Sequence, residues 1–178
     1  MEKRHQWILA GYTLVAEQGM HALHSEHLAN ILGKSKSSFY HYFGKLEDFR
    51  MLLLEYHVKQ AVPVAAQLEV CENYVPDMLN VLIENKIHVL FHKQLRIHRD
   101  NPIFEKAFTK AFKQIEKQIL NRLNQHFGIE KQPLFAKSFL NIVTDNLLMR
   151  ITHKNFTFKW LKAYTEELSY LLIQMKSV

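Results

Sequence analysis

Ser35-Lys36-Ser37-Ser38 places three hydroxyls and one ammonium within four residues, and Tyr40 and His41 follow directly. Read as a helix over residues 36–43 with Ser35 as its N-cap, this segment turns Phe39 and Phe43, four apart, to one side. Lys36, Tyr40 and His41 then face outward. Short donors and one long cation in the first turn of a helix suit the base edges and phosphates of a nucleic-acid major groove. Serine and tyrosine hydroxyls bind phosphates, and such contacts fix register on a duplex without reading its sequence. On residue types alone, a small amphipathic helix with a serine cap explains the same pattern equally well.

Other groupings carry less chemistry. Asn85, His88 and His92 recur along one stripe of a helix near Phe91, and can be read as polar anchors in a ligand pocket. A solvated face running on to Arg96 and Arg99 is the reading the stripe favours. Phe104, Phe108 and Phe112 form an aromatic stripe, core by default, that could line an apolar pocket. Lys106, Lys110, Lys113 and Lys117 read as a solvated basic face, with an acidic ligand as the other reading. His88 with His92, or His21 with His24 and His27, lack a carboxylate or thiolate at matching spacing, so neither metal nor cofactor is expected. Cys71, the one cysteine, reads as a small buried residue. Asp145 reads as paired or solvent-facing. With no phosphate loop, nucleophile elbow or metal framework, an enzyme is not expected.

The elements that must position these residues follow from punctuation. Four of the five glycines (Gly11, Gly19, Gly33, Gly44) fall within the first 44 residues, and all four prolines (Pro63, Pro76, Pro102, Pro133) come later. The glycines read as stops between short helices, and the prolines as starts of long ones. Helices are predicted up to Gly19, then over residues 25–32 and 36–43, with a three-residue turn at Gly33-Lys34-Ser35. Longer ones are predicted over 47–60, 76–97, 102–127, 133–153 and 156–175. No strands are required, so the class is all-α. The last two helices are apolar on more than one side, which calls for a second partner surface.

The chain has 178 residues, a net charge of +6 and a pI near 9.3, but residues 1–50 hold six basic against five acidic side chains. Nucleic-acid contact would therefore rest on a few placed side chains rather than a basic field. Neither a signal peptide nor an uncharged 18-residue stretch is present, so a cytoplasmic protein with no membrane span is expected.

About the first 50 residues resemble the TetR family of transcriptional regulators. The matching features are Ile8-Leu9-Ala10 with Leu14, Glu17-Gln18-Gly19, Leu28-Ala29, Gly33, Ser35-Lys36, Ser38-Phe39-Tyr40, Tyr42-Phe43-Gly44 and Glu47-Asp48-Phe49. Departures stand at Lys34, Ser37, Leu46 and Ser25. The resemblance implies a three-helix, homeodomain-like DNA-binding head over residues 1–47, with the helix-turn-helix at about 24–43. A larger all-helical ligand-binding and dimerisation bundle over 48–178 is to follow. By position, Ser35, Lys36, Ser38, Tyr40 and His41 face DNA, with His24 and Ser25 on the backbone; Lys34, Ser37 and Lys45 join them at the sites of departure.

The expected function is a homodimeric repressor released from a palindromic double-stranded DNA operator by a small-molecule effector. Asn85, His88, Phe91, His92, Phe108 and Phe112 are its candidate effector residues. Phe139, Ile142, Val143, Leu147, Trp160, Tyr164, Leu168 and Leu171 are its candidate dimer interface. The alternative is a helical interaction or small-molecule-binding dimer without sequence-specific DNA binding.

Overall fold

The structure is a computed structural model describing residues 2–176, with side chains through residue 174. Among the described residues it is helical and without strands: α1 (Glu2–Gln18), α2 (Ser25–Leu32), α3 (Lys36–Phe43), α4 (Leu46–Glu69), α5 (Leu79–Glu84), α6 (Lys86–Ile97), α7 (Pro102–Phe127), α8 (Pro133–Arg150) and α9 (Phe158–Lys176). No described helix is long and apolar enough to cross a membrane. The chain divides into two compact units. The first runs through Ala61 and adds Ile87–Ala111; the second holds Val62–Lys86 and the residues from Phe112 onward.

In the first unit, α1, α2, α3 and the start of α4 close on an aromatic core. Trp7 meets Phe39 edge-on at 5.5 Å, and Phe49 meets Phe39 at 5.1 Å and Phe43 at 4.6 Å. All four rings are buried. Gly19 ends α1, and Gly11 falls on its inner stripe with Leu14 and Val15, as their spacing predicts. Gly11 lies inside α1, where a Cβ would come within 2.6 Å of Phe49 Cε1, so the helix needs glycine for close approach.

The second unit is built from the end of α4, α5, α7 from Phe112, α8 and α9, around Leu68, Met78, Leu79, Leu123, Phe127, Leu140 and Leu161. Tyr74 is buried there against His126 and Phe127, and burial pushes its hydroxyl up to about 12.

Several boundaries differ from expectation for local reasons. Pro63 starts nothing: α4 passes through it to Glu69. The expected helix over 76–97 is divided into α5 and α6, and Val75 ahead of it is extended, at φ −119° and ψ 125°. Asn85 makes the break, at φ −97° and ψ 28°, with its side-chain amide donating to Val81 O at 2.9 Å and to Gln67 Oε1 at 2.5 Å. Helix α8 stops at Arg150, three residues early, because the Asn155 amide caps the Arg150 carbonyl at 3.0 Å. Helix α9 starts two residues late, after the Thr157 hydroxyl accepts from Trp160 N–H at 3.3 Å.

Candidate functional site

The turn between α2 and α3 is closed by Gly33, left-handed at φ 62° and ψ 36°, a conformation that costs a glycine little. The Lys34 amide donates back to Ala29 O at 2.9 Å. Ser35 then caps α3: its hydroxyl accepts from Ser38 N–H at 3.3 Å and lies 3.0 and 2.9 Å from the hydroxyls of Ser37 and Ser38. Phe39 and Phe43 point into the core, as their spacing requires. The opposite face of α3 presents Lys36, Ser37, Tyr40 (44% exposed) and His41, with Ser35 and Lys45 exposed at its two ends and Ser38 half-buried.

Three candidate contact residues are tied down within the chain. Ser25 is buried, and its hydroxyl sits 3.2 Å from Tyr40 Oη, so it positions Tyr40 rather than facing outward. Lys34 is half-buried, donates to Gln6 Oε1 at 2.7 Å and lies over the Trp7 ring. Lys36 pairs with Glu26 of α2 at 2.5 Å. The hydrogen bond to Lys36 lowers the Glu26 carboxyl, and the same bond raises the Lys36 ammonium. The residue pattern did not single out Glu26, which sits ten positions from its partner across the turn. His24 is exposed at the start of α2.

A second constellation in the same unit joins α1, α4 and α6. Tyr12 Oη lies 2.7 Å from His57 Nδ1 and 3.1 Å from His88 Nδ1, and His57 Nε2 lies 3.0 Å from His92 Nδ1. With every histidine neutral, the protons run in one direction along the chain: His88 to Tyr12, Tyr12 to His57, His57 to His92. The reverse direction satisfies the same contacts. Phe91 stacks on Tyr12 at 4.3 Å and Phe108 on His92 at 4.1 Å. All three histidines are buried, which overturns the solvated-face reading of His88 and His92. Desolvation lowers all three, His88 to about 4 and His92 to about 3. Burial also pushes the Tyr12 hydroxyl well up.

Tyr12 and His57 were absent from the expected set, although His57 lies one turn from both Leu53 and Ala61 and so shares their inward face. Of the expected effector residues, His88, Phe91, His92 and Phe108 come together here. Asn85 and Phe112 are half-buried in the other unit.

On α8 and α9, a cavity of about 380 Å³ is lined by Phe139, Ile142, Val143, Tyr164, Leu168 and Leu171, among others. Val143, Tyr164 and Leu168 are buried at its base, whereas Ile142 is 67% and Leu171 51% exposed. Tyr164 donates to Val143 O at 3.2 Å and lies 3.1 Å from Asn146 Oδ1. Trp160 stacks on Tyr164, and Arg150 reaches both carboxylate oxygens of Glu167, at 3.0 and 2.9 Å. Leu147 is half-buried on the same helix as Val143.

These observations define an all-helical chain with a helix-turn-helix near its N-terminus. No protein-family profile matches the sequence, and no curated protein is significantly similar to it. Solved structures do share its fold. A protein from Saccharomonospora viridis, described as a transcriptional regulator and solved in complex with choline, superposes with a TM-score of 0.67 at 16% identity, over 93% of this chain and 94% of its own. A protein from a Rhodococcus species, described as a TetR-family transcriptional regulator, gives 0.58 at 16% identity, over 100% and 99%. The fold is that of TetR-like regulators.

Proposed function

We propose that this chain is a DNA-binding transcriptional regulator that works as a homodimer and is released from a palindromic operator by a small molecule. The reading divides the chain functionally at residues 1–47 and 48–178. The observation that carries it is the capped α3 helix, which exposes Lys36, Ser37, Tyr40 and His41 on one face while Phe39 and Phe43 anchor the other. A rigid short helix with hydroxyls and a cation at its N-terminal end has the form that enters a major groove.

The exposed Ile142 and Leu171 above an apolar base support pairing of α8 and α9 with a second copy. Two copies can read a palindrome when their recognition helices stand about 34–36 Å apart. The Tyr12–His57–His88–His92 chain supports a link from α4 and α6 to α1. A ligand that binds better when that chain is rearranged would bias the head away from its DNA-binding pose. The choline held by the Saccharomonospora protein makes a small organic cation the first effector to try.

Fluorescence anisotropy on a labelled duplex from upstream of the chain's own gene tests the DNA-binding reading, run with excess unlabelled random duplex at two salt concentrations. Retention against the competitor, with two chains per duplex, is the expected result. If no duplex drawn from that region or from a random pool is retained, the reading gives way to an interaction module.

A further inference from the structure

In the first unit, two helix faces enclose a surface groove that plays no part in the DNA-binding reading. From α4 come Met51, Leu54, Glu55, Val58 and Lys59; from α7 come Ile103, Lys106, Ala107 and Lys110. Each set repeats at three- and four-residue steps, so each is one continuous stripe of its helix. The cavity measures about 310 Å³. At 1.5 Å of rise per residue, its α4 wall is about 12 Å long. Leu54 and Ala107 are buried in its floor, while Met51 (42%) and Ile103 (47%) stay exposed.

Three ammonium groups and one carboxylate, Glu55, surround this apolar floor. No ion pair among the described residues takes up Lys59, Lys106 or Lys110. Lysine stems can lie along apolar surface with their charges in water, but here both walls carry such charges and the floor stays open. We infer that this groove binds an amphiphilic anion: a single alkyl chain on the Met51, Leu54, Val58, Ile103 and Ala107 floor, with its carboxylate held by the lysines. The volume lies at the small end of ligand pockets, which suits one chain rather than a fused ring system. An apolar floor between two walls with cations on both sides fits an acyl carboxylate better than a neutral lipid or a free inorganic anion.

The test needs no DNA, so it stands or falls separately from the regulator reading. The full chain is labelled at its methionine and isoleucine methyls, and Met51→Leu and Ile103→Val assign the two signals. Sodium decanoate is titrated in below its micelle concentration, beside decanol and acetate. Saturable shifts at both methyls are expected with decanoate, weaker binding with decanol and none with acetate. Added salt should weaken decanoate but not decanol. The Lys106→Gln/Lys110→Gln variant should lose about tenfold in decanoate affinity and keep its decanol affinity. Decanol binding as tightly as decanoate, unchanged decanoate affinity in that variant, or decanoate shifts that spare both methyls would each overturn the inference.

Discussion

Lys36 is the long cation of α3, and in the free chain Glu26 holds it. A phosphate or base must compete with that carboxylate, and the carboxylate's own charge opposes an approaching duplex. Glu26→Gln should therefore strengthen DNA binding at low salt. It should also make the slope of log affinity against log salt steeper by about one unit, because a freed Lys36 displaces one more counterion. Titrations at several salt concentrations read both effects, and an unchanged slope would mean that Lys36 does not reach the backbone. Much of α3 was legible at this scale: Ser35 as cap and Phe39 with Phe43 as anchors follow from local spacing alone. The roles of Ser25 and Glu26 were not, because each is defined by a partner on the neighbouring helix.

Between elements, Gly11 and the histidine chain set how α1 meets its neighbours. Gly11→Ala raises intrinsic helix propensity by about 1 kcal/mol, yet presses a methyl into the buried Phe49 ring. Overpacking costs about 1–3 kcal/mol, so the variant should be less stable in urea unfolding, opposite to what an exposed helical glycine would give. The histidine chain makes stability depend on pH. Its histidines stay neutral in the folded protein well below the ordinary value of 6.5, whereas the unfolded chain takes up protons there. Their contribution is complete above about pH 6.5 and falls as pH drops toward about 4 for His88 and about 3 for His92. The slope is about 1.4 kcal/mol per pH unit for each histidine. Urea unfolding at pH 7 and pH 5 should show this loss, and equal stability at the two would contradict the cluster. Helix stops at Gly19, Gly33 and Gly44 could be read directly, as all three glycines have positive φ. The break at Asn85 could not, since it depends on a side chain reaching Gln67. Nor could the burial of His88 and His92, whose polar neighbours in sequence suggested solvent while their actual partners come from α1 and α4.

For the molecule as a whole, the account depends on two copies acting together. The surplus of apolar residues on the last two helices was visible in their two-sided pattern, and Leu134, Ile142, Met149, Tyr170, Leu171 and Ile173 stay exposed on them. Which side would stay open could not be read, because that depends on what the rest of the chain covers. Ile142→Glu should weaken self-association by about a hundredfold or more while leaving helicity intact, because it sets a charge in the proposed contact. Sedimentation with circular dichroism checks both, and an unchanged dimer would remove Ile142 from the interface. The most direct test of the central claim is selection of the purified chain against a random duplex pool. The account predicts enrichment of an inverted repeat whose half-site centres lie about one helical turn apart, with two chains bound per site. A pool that stays random after repeated rounds, or binding no tighter to selected than to unselected duplex, would contradict it.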